Sequence, residues 1–237
     1  MRSVVTALIS VVVLAGSAFG GNIALSPGAS AVCGGSGGAQ GAASPESAVC
    51  QLTYGGTTYG AGNTINGIGI SAPSAFPPNE WIAPVGLQDP YLLVTLAAPA
   101  TVDWVTVSGY GTPGYELSFD VFVGSAATCA GDTTADQCAD SLESTGVQID
   151  PGGTTITGSA SGWTSGPFAV STSSQIQYVL YDVTESNGFC EFCVTAAFDN
   201  AYAAQVYVDS TPEPATFALI GTGLLALGFK WRSRRQK

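Results

Sequence analysis

The sequence contains no histidine, and its central part lacks every other cationic side chain. The lysines and arginines are confined to the two ends of the chain: Arg2, Lys230, Arg232, Arg234, Arg235 and Lys237. Residues 22–211, called the body below, therefore offer no imidazole base, no Schiff-base lysine and no cationic clamp for phosphate. Nucleic acid is excluded as a partner because proteins neutralise its phosphates with Lys and Arg. These absences predict a protein that is not an enzyme.

Acidic residues are concentrated where cations are missing. Of the 17 Asp and Glu residues, all but Glu213 lie in the body. One interpretation is a solvated acidic surface, which would repel strongly acidic polysaccharides. Another is that some carboxylates hold calcium, which prefers oxygen ligands. A carboxylate-dependent glycan hydrolase or lyase is the enzymatic alternative, although no spacing in the sequence brings two carboxylates together.

The run "DTTADQCAD" places Asp132, Asp136 and Asp140 four residues apart. It lacks the glycine and the distal glutamate of a helix–loop–helix calcium site. The run therefore favours an acidic surface loop closed by Cys129 and Cys138, with structural calcium as the alternative and no other cofactor.

Six cysteines stand in three sequence-local pairs: Cys33 with Cys50, Cys129 with Cys138, and Cys190 with Cys193. An exported protein meets an oxidising compartment, so we predict that each pair forms a disulfide, although sequence alone does not fix the pairing. Each short loop so closed would stabilise the fold by about 2–3 kcal/mol. The alternative for "CEFC", a redox or zinc motif, lacks basic neighbours and a second ligand pair.

The N-terminus has the order of parts of a signal peptide. Arg2 precedes an apolar run from Val4 to Ala15, and small residues follow at Ala18 and Gly20. We predict a signal peptide over residues 1–20, with a buried helix as the alternative. Residues 21–50 are rich in Gly, Ala and Ser and predict a flexible leader.

Short apolar runs separated by Gly, Pro, Asn and Ser follow from residue 51 to 210. In "YELSFDVFV" five apolar residues alternate with mostly polar ones, which is typical of a half-buried strand, and they are Tyr115, Leu117, Phe119, Val121 and Val123. The run "PYLLVTLAAP" is apolar on both faces, as in a central strand. No long segment has a capped apolar period of 3.6 residues. This pattern predicts an all-β sandwich with jelly-roll or Greek-key connections.

The stretch "NTINGIG…NEWIAP…DPYLLVTLAAPATVDWVTVSGYG…YELSFDVFVGS", with "QYVLYDV" and "AQVYVD" later, resembles the discoidin or galactose-binding-like jelly roll. The resemblance covers roughly residues 52–209 and implies the fold. Related domains hold calcium with carboxylates, where this sequence has Asn66 and Ala204. The Arg and His that such domains use for sugar hydroxyls are missing, so the resemblance does not imply a ligand.

Tryptophans are the candidates for a rim that stacks on sugar rings. Trp104 lies in the middle of a predicted strand, which favours a place in the core. Trp81 and Trp163 lie in loop-like contexts, "PNEWIAP" and "SGWTSG", and are the candidates for a glycan-binding rim. Packing over the end of the sandwich is nevertheless the interpretation that the sequence favours for both residues.

The C-terminus combines an apolar segment with a basic tail. Residues 215–229 are uncharged, and as a helix they would reach about 22 Å against a hydrocarbon core of about 30 Å. We predict a single, marginal transmembrane helix within residues 211–237. The basic residues would stay cytoplasmic and place the body outside. They are Lys230, Arg232, Arg234, Arg235 and Lys237.

Pro212, Glu213 and Pro214, the apolar segment and "KWRSRR" follow one another in the order of a PEP-CTERM sorting signal, which this end resembles. The resemblance implies that an exosortase-type enzyme of a Gram-negative bacterium recognises the tripeptide as substrate. It also implies a transient anchor in the inner membrane, followed by the cell surface or extracellular matrix, with exopolysaccharide as an associated partner.

Overall fold

The computed structural model describes part of the chain, namely residues 22–36, 50–54, 56–66, 81–83, 87–109, 116–157, 162–187, 202–203 and 205–209. These residues belong to one compact unit, Asn22–Asp209. Its strands are β1 (Ser30–Ser36), β2 (Leu52–Tyr54), β3 (Thr57–Tyr59), β4 (Trp81–Ile82), β5 (Gln88–Ala100), β6 (Trp104–Gly109), β7 (Glu116–Gly124), β8 (Val147–Gln148), β9 (Thr154–Thr157), β10 (Trp163–Ala169), β11 (Ile176–Asn187), β12 (Tyr202–Ala203) and β13 (Gln205–Asp209). A single α-helix, α1 (Ala135–Thr145), and two short 3-10 helices, Ile23–Leu25 and Ala61–Ile65, complete the described elements.

Two antiparallel sheets form the framework. The main sheet has the order β1-β5-β11-β7-β8, with β9 also pairing with β7. The second sheet has the order β10-β6-β13. The chain passes from one sheet to the other between β5 and β6 and returns with β7. Because the two sheets share one apolar core, the predicted β-sandwich is confirmed.

The core between the sheets follows the alternation read from the sequence. Four of the five apolar residues predicted to share this face are fully buried in β7, and they are Leu117, Phe119, Val121 and Val123. The fifth, Tyr115, lies outside the described residues. From the second sheet, Val105 and Val107 of β6 meet Val206 and Val208 of β13 in the same core. Side chains alternate between faces along a strand, so each strand contributes every second residue.

A second, smaller apolar layer lies on the other face of the main sheet. Tyr91 and Leu93 of β5 and Leu180 of β11 pack there against helix α1. This explains why β5 is apolar on both faces: Leu92 and Val94 point into the sandwich, and their neighbours lie beneath the helix. The prediction of a central, doubly buried strand is correct.

Helix α1 was not expected from the sequence. The Thr134 side chain caps it by accepting from the Gln137 amide at 3.3 Å. Four buried residues at positions i, i+3, i+4 and i+7 form its inner face, and they are Ala135, Cys138, Ala139 and Leu142. The acidic run around Asp136 and Asp140 is therefore mostly a helix and not the predicted surface loop.

The prediction of a flexible leader over residues 21–50 is wrong for residues 30–36. These residues form β1, which pairs antiparallel with β5 at the edge of the main sheet. Cys33 is buried there and is bonded to Cys50. A strand rich in small residues fits this place because Gly34 lies opposite Tyr91, where a Cβ would collide with the phenol ring.

The predicted signal peptide (1–20) and C-terminal segment (211–237) lie outside the described residues. Among the described helices, none has the length and apolar character needed to cross a membrane.

Candidate functional site: an acidic cavity and an exposed tryptophan

A cavity of about 470 Å³ opens between helix α1 and the strands beneath it. Five carboxylates line it: Asp89, Asp136, Asp140, Glu143 and Asp182. Tyr91 and Thr184 supply hydroxyls, while Gly35 and Ala139 complete the wall. Since the body has no cation, no Lys or Arg of the described residues balances this charge.

The sheet and the helix bring the acids together from distant parts of the sequence. Asp182 of β11 is the register partner of Tyr91 on one side and of Asp120 on the other. Register partners share a face, so these side chains lie on the face that the helix covers. The Tyr91 hydroxyl donates to Asp136 Oδ1 in the first turn of α1, which ties the helix to β5.

Asp182 is the most perturbed carboxyl group of the cavity. Burial, followed by the charges of Glu143, Asp120 and Asp89, raises its pKa from 3.8 to about 7. Burial also raises the pKa of Glu143, with the charge of Asp140 as the next cause. A carboxyl group with a raised pKa among several other acidic side chains is an arrangement that can hold a proton or a cation.

Asp120 and Asp150 lie next to the cavity and are held by hydrogen bonds. Burial raises the pKa of Asp120, although Gln148 Nε2 donates to its Oδ1 at 2.9 Å. Asp150 is buried, and burial raises the pKa of its carboxyl group more than the hydrogen bonds that it accepts lower it. The donors of these hydrogen bonds are the Val121 amide at 2.7 Å and the Thr154 hydroxyl at 3.1 Å. Asp150 therefore serves the fold by closing the turn between β8 and β9.

The structure does not assemble the predicted calcium ligands into one shell. In the described part of the chain, one group of three candidate ligands lies within 4.8 Å: Cys129, Asp132 and Cys138. The two cysteines form a disulfide, so they offer no thiolate. The Asp136 carboxylate accepts a hydrogen bond from the Tyr91 hydroxyl, and Asp140 is exposed on the helix. Calcium stays a prediction from the acidic composition.

Two of the predicted disulfides are confirmed. Cys33 is bonded to Cys50, and Cys129 is bonded to Cys138. The second bond ties the turn before α1 to the buried face of that helix, and so helps to position the cavity wall. Cys190 and Cys193 lie outside the described residues.

Trp81 and Trp163 do not form the candidate glycan rim, because both side chains are buried, as the favoured packing interpretation predicts. Trp81 is 0% exposed, and its Nε1 donates to the Cys50 carbonyl at 2.9 Å. Trp163 is 7% exposed and lies 6.1 Å, centroid to centroid, from the ring of Phe119. Both residues begin strands, β4 and β10, so the Pro- and Gly-rich contexts that suggested loops instead mark strand starts.

The prediction for Trp104 is wrong, because this side chain is exposed and not buried. It was expected in the core, yet it is 42% exposed and begins β6 in the middle of the second sheet. Along β6, Val105 and Val107 point inward, so Trp104 and Thr106 belong to the outer face. The signal that was present in "TVDWVTV" is this alternation: the valines take the inner face and leave the tryptophan outside.

The fold is thus a disulfide-bonded β-sandwich, followed in the sequence by a C-terminal signal. Residues 210–235 match the family model of the PEP-CTERM protein-sorting motif. The motif covers the predicted tripeptide Pro212-Glu213-Pro214, the apolar segment and most of the basic tail, so the chain carries a PEP-CTERM sorting motif. No curated protein matches the sequence significantly.

Solved structures that the chain resembles include carbohydrate-binding modules. One is the family 32 module of Clostridium perfringens NanJ in complex with galactose, at 10% identity and a TM-score of 0.42, covering 81% of this chain and 100% of that chain. Another is chitosan-binding module 1 of a chitosanase/glucanase from Paenibacillus sp. IK-5, at 14% identity and a TM-score of 0.41, covering 79% and 97%. At these values the likeness describes the fold alone.

Proposed function

We propose that this chain is an exported cell-surface or extracellular-matrix protein, sorted by its C-terminal signal, with a β-sandwich body for adhesion, matrix structure or carbohydrate binding. The observation that supports the sorting is the match of residues 210–235 to the PEP-CTERM motif. An exosortase-type enzyme would cleave near Pro212, Glu213 and Pro214. Until then the apolar segment and the basic tail would hold the precursor at the inner membrane, with the body outside.

The charge distribution supports this topology independently. Every basic residue except Arg2 follows the apolar segment, and the acidic body precedes it. Positive charge is retained on the cytoplasmic side, whereas Asp and Glu contribute little to orientation. The acidic body can therefore be translocated, and the repulsion between negatively charged bodies of different molecules keeps the protein soluble outside the cell.

Mass spectrometry of the mature protein tests the sorting. The wild-type chain should end near the tripeptide and occur in the surface or matrix fraction of an exosortase-containing host. A chain with Pro212, Glu213 and Pro214 all changed to Ala should keep Lys237 and stay in the membrane fraction. Thr222→Ser, a conservative change in the apolar segment, is the matched control and should be processed normally. A wild-type surface protein that retains Lys237 would contradict the proposal.

A glycan array tests the carbohydrate-binding part of the proposal. The purified mature protein is applied with calcium and, separately, with a chelator. Binding that the chelator abolishes would support a calcium-dependent lectin. Binding that is indifferent to the chelator would support a lectin that does not use calcium. A protein that binds no glycan but occurs in the matrix would be a structural component.

A glycan hydrolase or lyase is the second candidate, and the acidic cavity is the observation that favours it. The raised pKa of Asp182 suits a general acid, and its neighbours suit a carboxylate nucleophile or base. Release of reducing or unsaturated ends from a polysaccharide, lost in Asp182→Asn and kept in Glu185→Gln, would support this candidate. Glu185 is an exposed acid of the same strand, so it controls for the general loss of charge. If the wild type released no such ends, the hydrolase or lyase candidate would be rejected.

A further inference from the structure

Helix α1 belongs to a segment that leaves the main sheet and returns to it at the same place. Val123 of β7 is the register partner of Val147 of β8, so residues 125–146, called the lid below, begin and end on neighbouring strands. The disulfide between Cys129 and Cys138 joins two residues of the lid. It fixes the internal shape of the lid without tying it to the strands beneath. The lid can therefore move as one body while the sheet stays paired.

Apolar contacts and a hydrogen bond hold the lid against the sheet. Leu142 of α1 is fully buried and packs in the same cluster as Leu93 of β5 and Leu180 of β11. At the first turn of the helix, the Tyr91 hydroxyl donates to Asp136. Gly124, directly before the lid, permits this close approach because a Cβ there would collide with the Leu142 side chain. The apolar part of this contact does not change with pH.

The charges between the lid and the sheet are all acidic. They come from three residues of α1 and from one residue each of β5, β7 and β11, and they are Asp136, Asp140, Glu143, Asp89, Asp120 and Asp182. The same strands also carry Glu116 and Glu185, which are exposed, whereas β1 and β8 carry no charged residue. Asp132 precedes α1 within the lid, Asp150 lies beside Asp120, and Tyr178 of β11 adds a phenol. No Lys, Arg or His of the described residues faces these acids, since the body contains none.

Carboxyl groups on both sides of this contact resist ionisation while the lid is closed. Burial raises the pKa of Asp182, Asp120 and Glu143, and neighbouring acids raise the pKa of Asp182 and Glu143 further. Moving the lid away would return water to these groups and separate the charges of α1 from those of the strands. The open form would then release protons that the closed form holds, so a rise in pH favours the open form.

We propose that residues 125–146 form a pH-sensitive lid, which covers the acidic cavity at low pH and opens as the pH rises, with ionisation of Asp182 as the main cause of opening. Opening exposes the cavity and the apolar layer around Leu93 and Leu180. The core between the two sheets stays closed, because the lid packs on the opposite face of the main sheet. Access to the cavity therefore depends on the pH of the medium into which the protein is exported.

Hydrogen exchange followed by mass spectrometry measures the opening. The full chain is kept in a non-ionic detergent, and the amide exchange rates are divided by those of unstructured peptides at each pH. One carboxyl group with a raised pKa makes the opening equilibrium up to about ten times more favourable for each pH unit. We expect the protection of α1 to fall about tenfold or more between pH 5 and pH 8. Strand β6, in the centre of the second sheet, should stay more strongly protected than α1 throughout.

Three variants separate charge from contact. Asp182→Asn should remove most of the pH dependence of α1 protection. Glu185→Gln changes an exposed acid of the same strand and should keep the full pH dependence, so it is the matched control. Tyr91→Phe removes the hydrogen bond to Asp136 and should lower the protection of α1 by a similar factor, about tenfold, at pH 5 and at pH 8.

Low concentrations of urea distinguish opening of the lid from unfolding of the whole body. A local opening exposes little surface, so exchange of α1 should hardly respond to urea, whereas exchange of β6 should respond steeply. If α1 and β6 show the same corrected rates and the same urea dependence, the helix opens only with the whole body and the inference is overturned. It is also overturned if α1 protection is constant from pH 5 to pH 8, or if Asp182→Asn keeps the entire pH dependence. None of these measurements requires C-terminal processing or a glycan, so their outcome is separate from that of the proposed function.

Discussion

Asp182 and Asp120 are register partners on two neighbouring antiparallel strands, so two carboxyl groups lie opposite each other on one face of the main sheet. Like charges in this position destabilise a sheet. Gln148 donates to Asp120, but no Lys, Arg or His exists in the body to compensate Asp182. Protonation of Asp182 therefore removes the repulsion between the two carboxyl groups. As a result, the free energy of unfolding depends on pH.

Replacing Asp182 with Asn should stabilise the protein above pH 7. In the unfolded chain the Asp182 carboxyl ionises near 3.8, whereas in the folded protein its pKa is raised to about 7. Between these values the folded state holds a proton that the unfolded chain has released, so the free energy of unfolding falls as pH rises from about 4 to 7. Asp182→Asn removes this loss and should gain about 1–4 kcal/mol at pH 8, with no gain at pH 4.

Urea denaturation of both proteins across this pH range measures the effect. Glu185→Gln, at an exposed position of the same strand, should show no comparable gain. A gain in Asp182→Asn that is the same at pH 4 and pH 8 would mean that packing, and not the charge of Asp182, is responsible.

Asp150 is predicted to be a structural acid whose loss destabilises the turn between β8 and β9. Its carboxylate accepts from the Val121 amide and the Thr154 hydroxyl in a buried position. Asp150→Ala leaves the buried amide unsatisfied and should lower the free energy of unfolding by about 1–3 kcal/mol. Asp150→Asn keeps one acceptor oxygen and should lose less. Equal losses in the two variants would argue against the hydrogen bond as the cause.

How far the sequence predicts this molecule depends on the kind of signal. Alternation in β7 and the doubly apolar β5 identified their buried faces correctly, because burial imposes period two directly on the side chains. The sorting motif was recognised because its parts are contiguous. Helix α1 was missed although Ala135, Cys138, Ala139 and Leu142 have helical spacing. Three of these four residues are Ala or Cys, which give a weak apolar signal, and Cys138 was assigned to a loop closed by a disulfide.

The candidate site was less predictable because it depends on tertiary contacts. The acidic cavity joins Asp89, Asp136 and Asp182 from β5, α1 and β11, and only the strand order and the docking of the helix bring them together. The tryptophans were misplaced for a related reason. Glycine and proline around Trp81 and Trp163 suggested exposure, but the sandwich ends there and its core needs large side chains. The composition of the residues around a tryptophan does not show whether its side chain reaches the core.

The disulfide between Cys129 and Cys138 is predicted to stabilise the helix that covers the cavity. It closes a loop with a sequence separation of 9 residues. A double variant with both cysteines changed to Ala should lose about 2–3 kcal/mol in free energy of unfolding, because its unfolded chain is less constrained. Wild type measured in a strong reductant should move in the same direction. A double variant as stable as oxidised wild type would show that the bond contributes nothing to the fold.

Trp81 and Trp104 are predicted to differ in what they contribute, as their burial differs. Trp81 is fully buried, donates to the Cys50 carbonyl and meets the Tyr181 ring edge-on at 6.3 Å between centroids. Trp81→Ala should therefore cost about 3–5 kcal/mol in free energy of unfolding. Trp104→Ala should cost clearly less than Trp81→Ala, because Trp104 is 42% exposed on the outer face. Thermal and urea unfolding of the two variants side by side measures this contrast. A loss of stability in Trp104→Ala as large as that in Trp81→Ala would contradict this prediction.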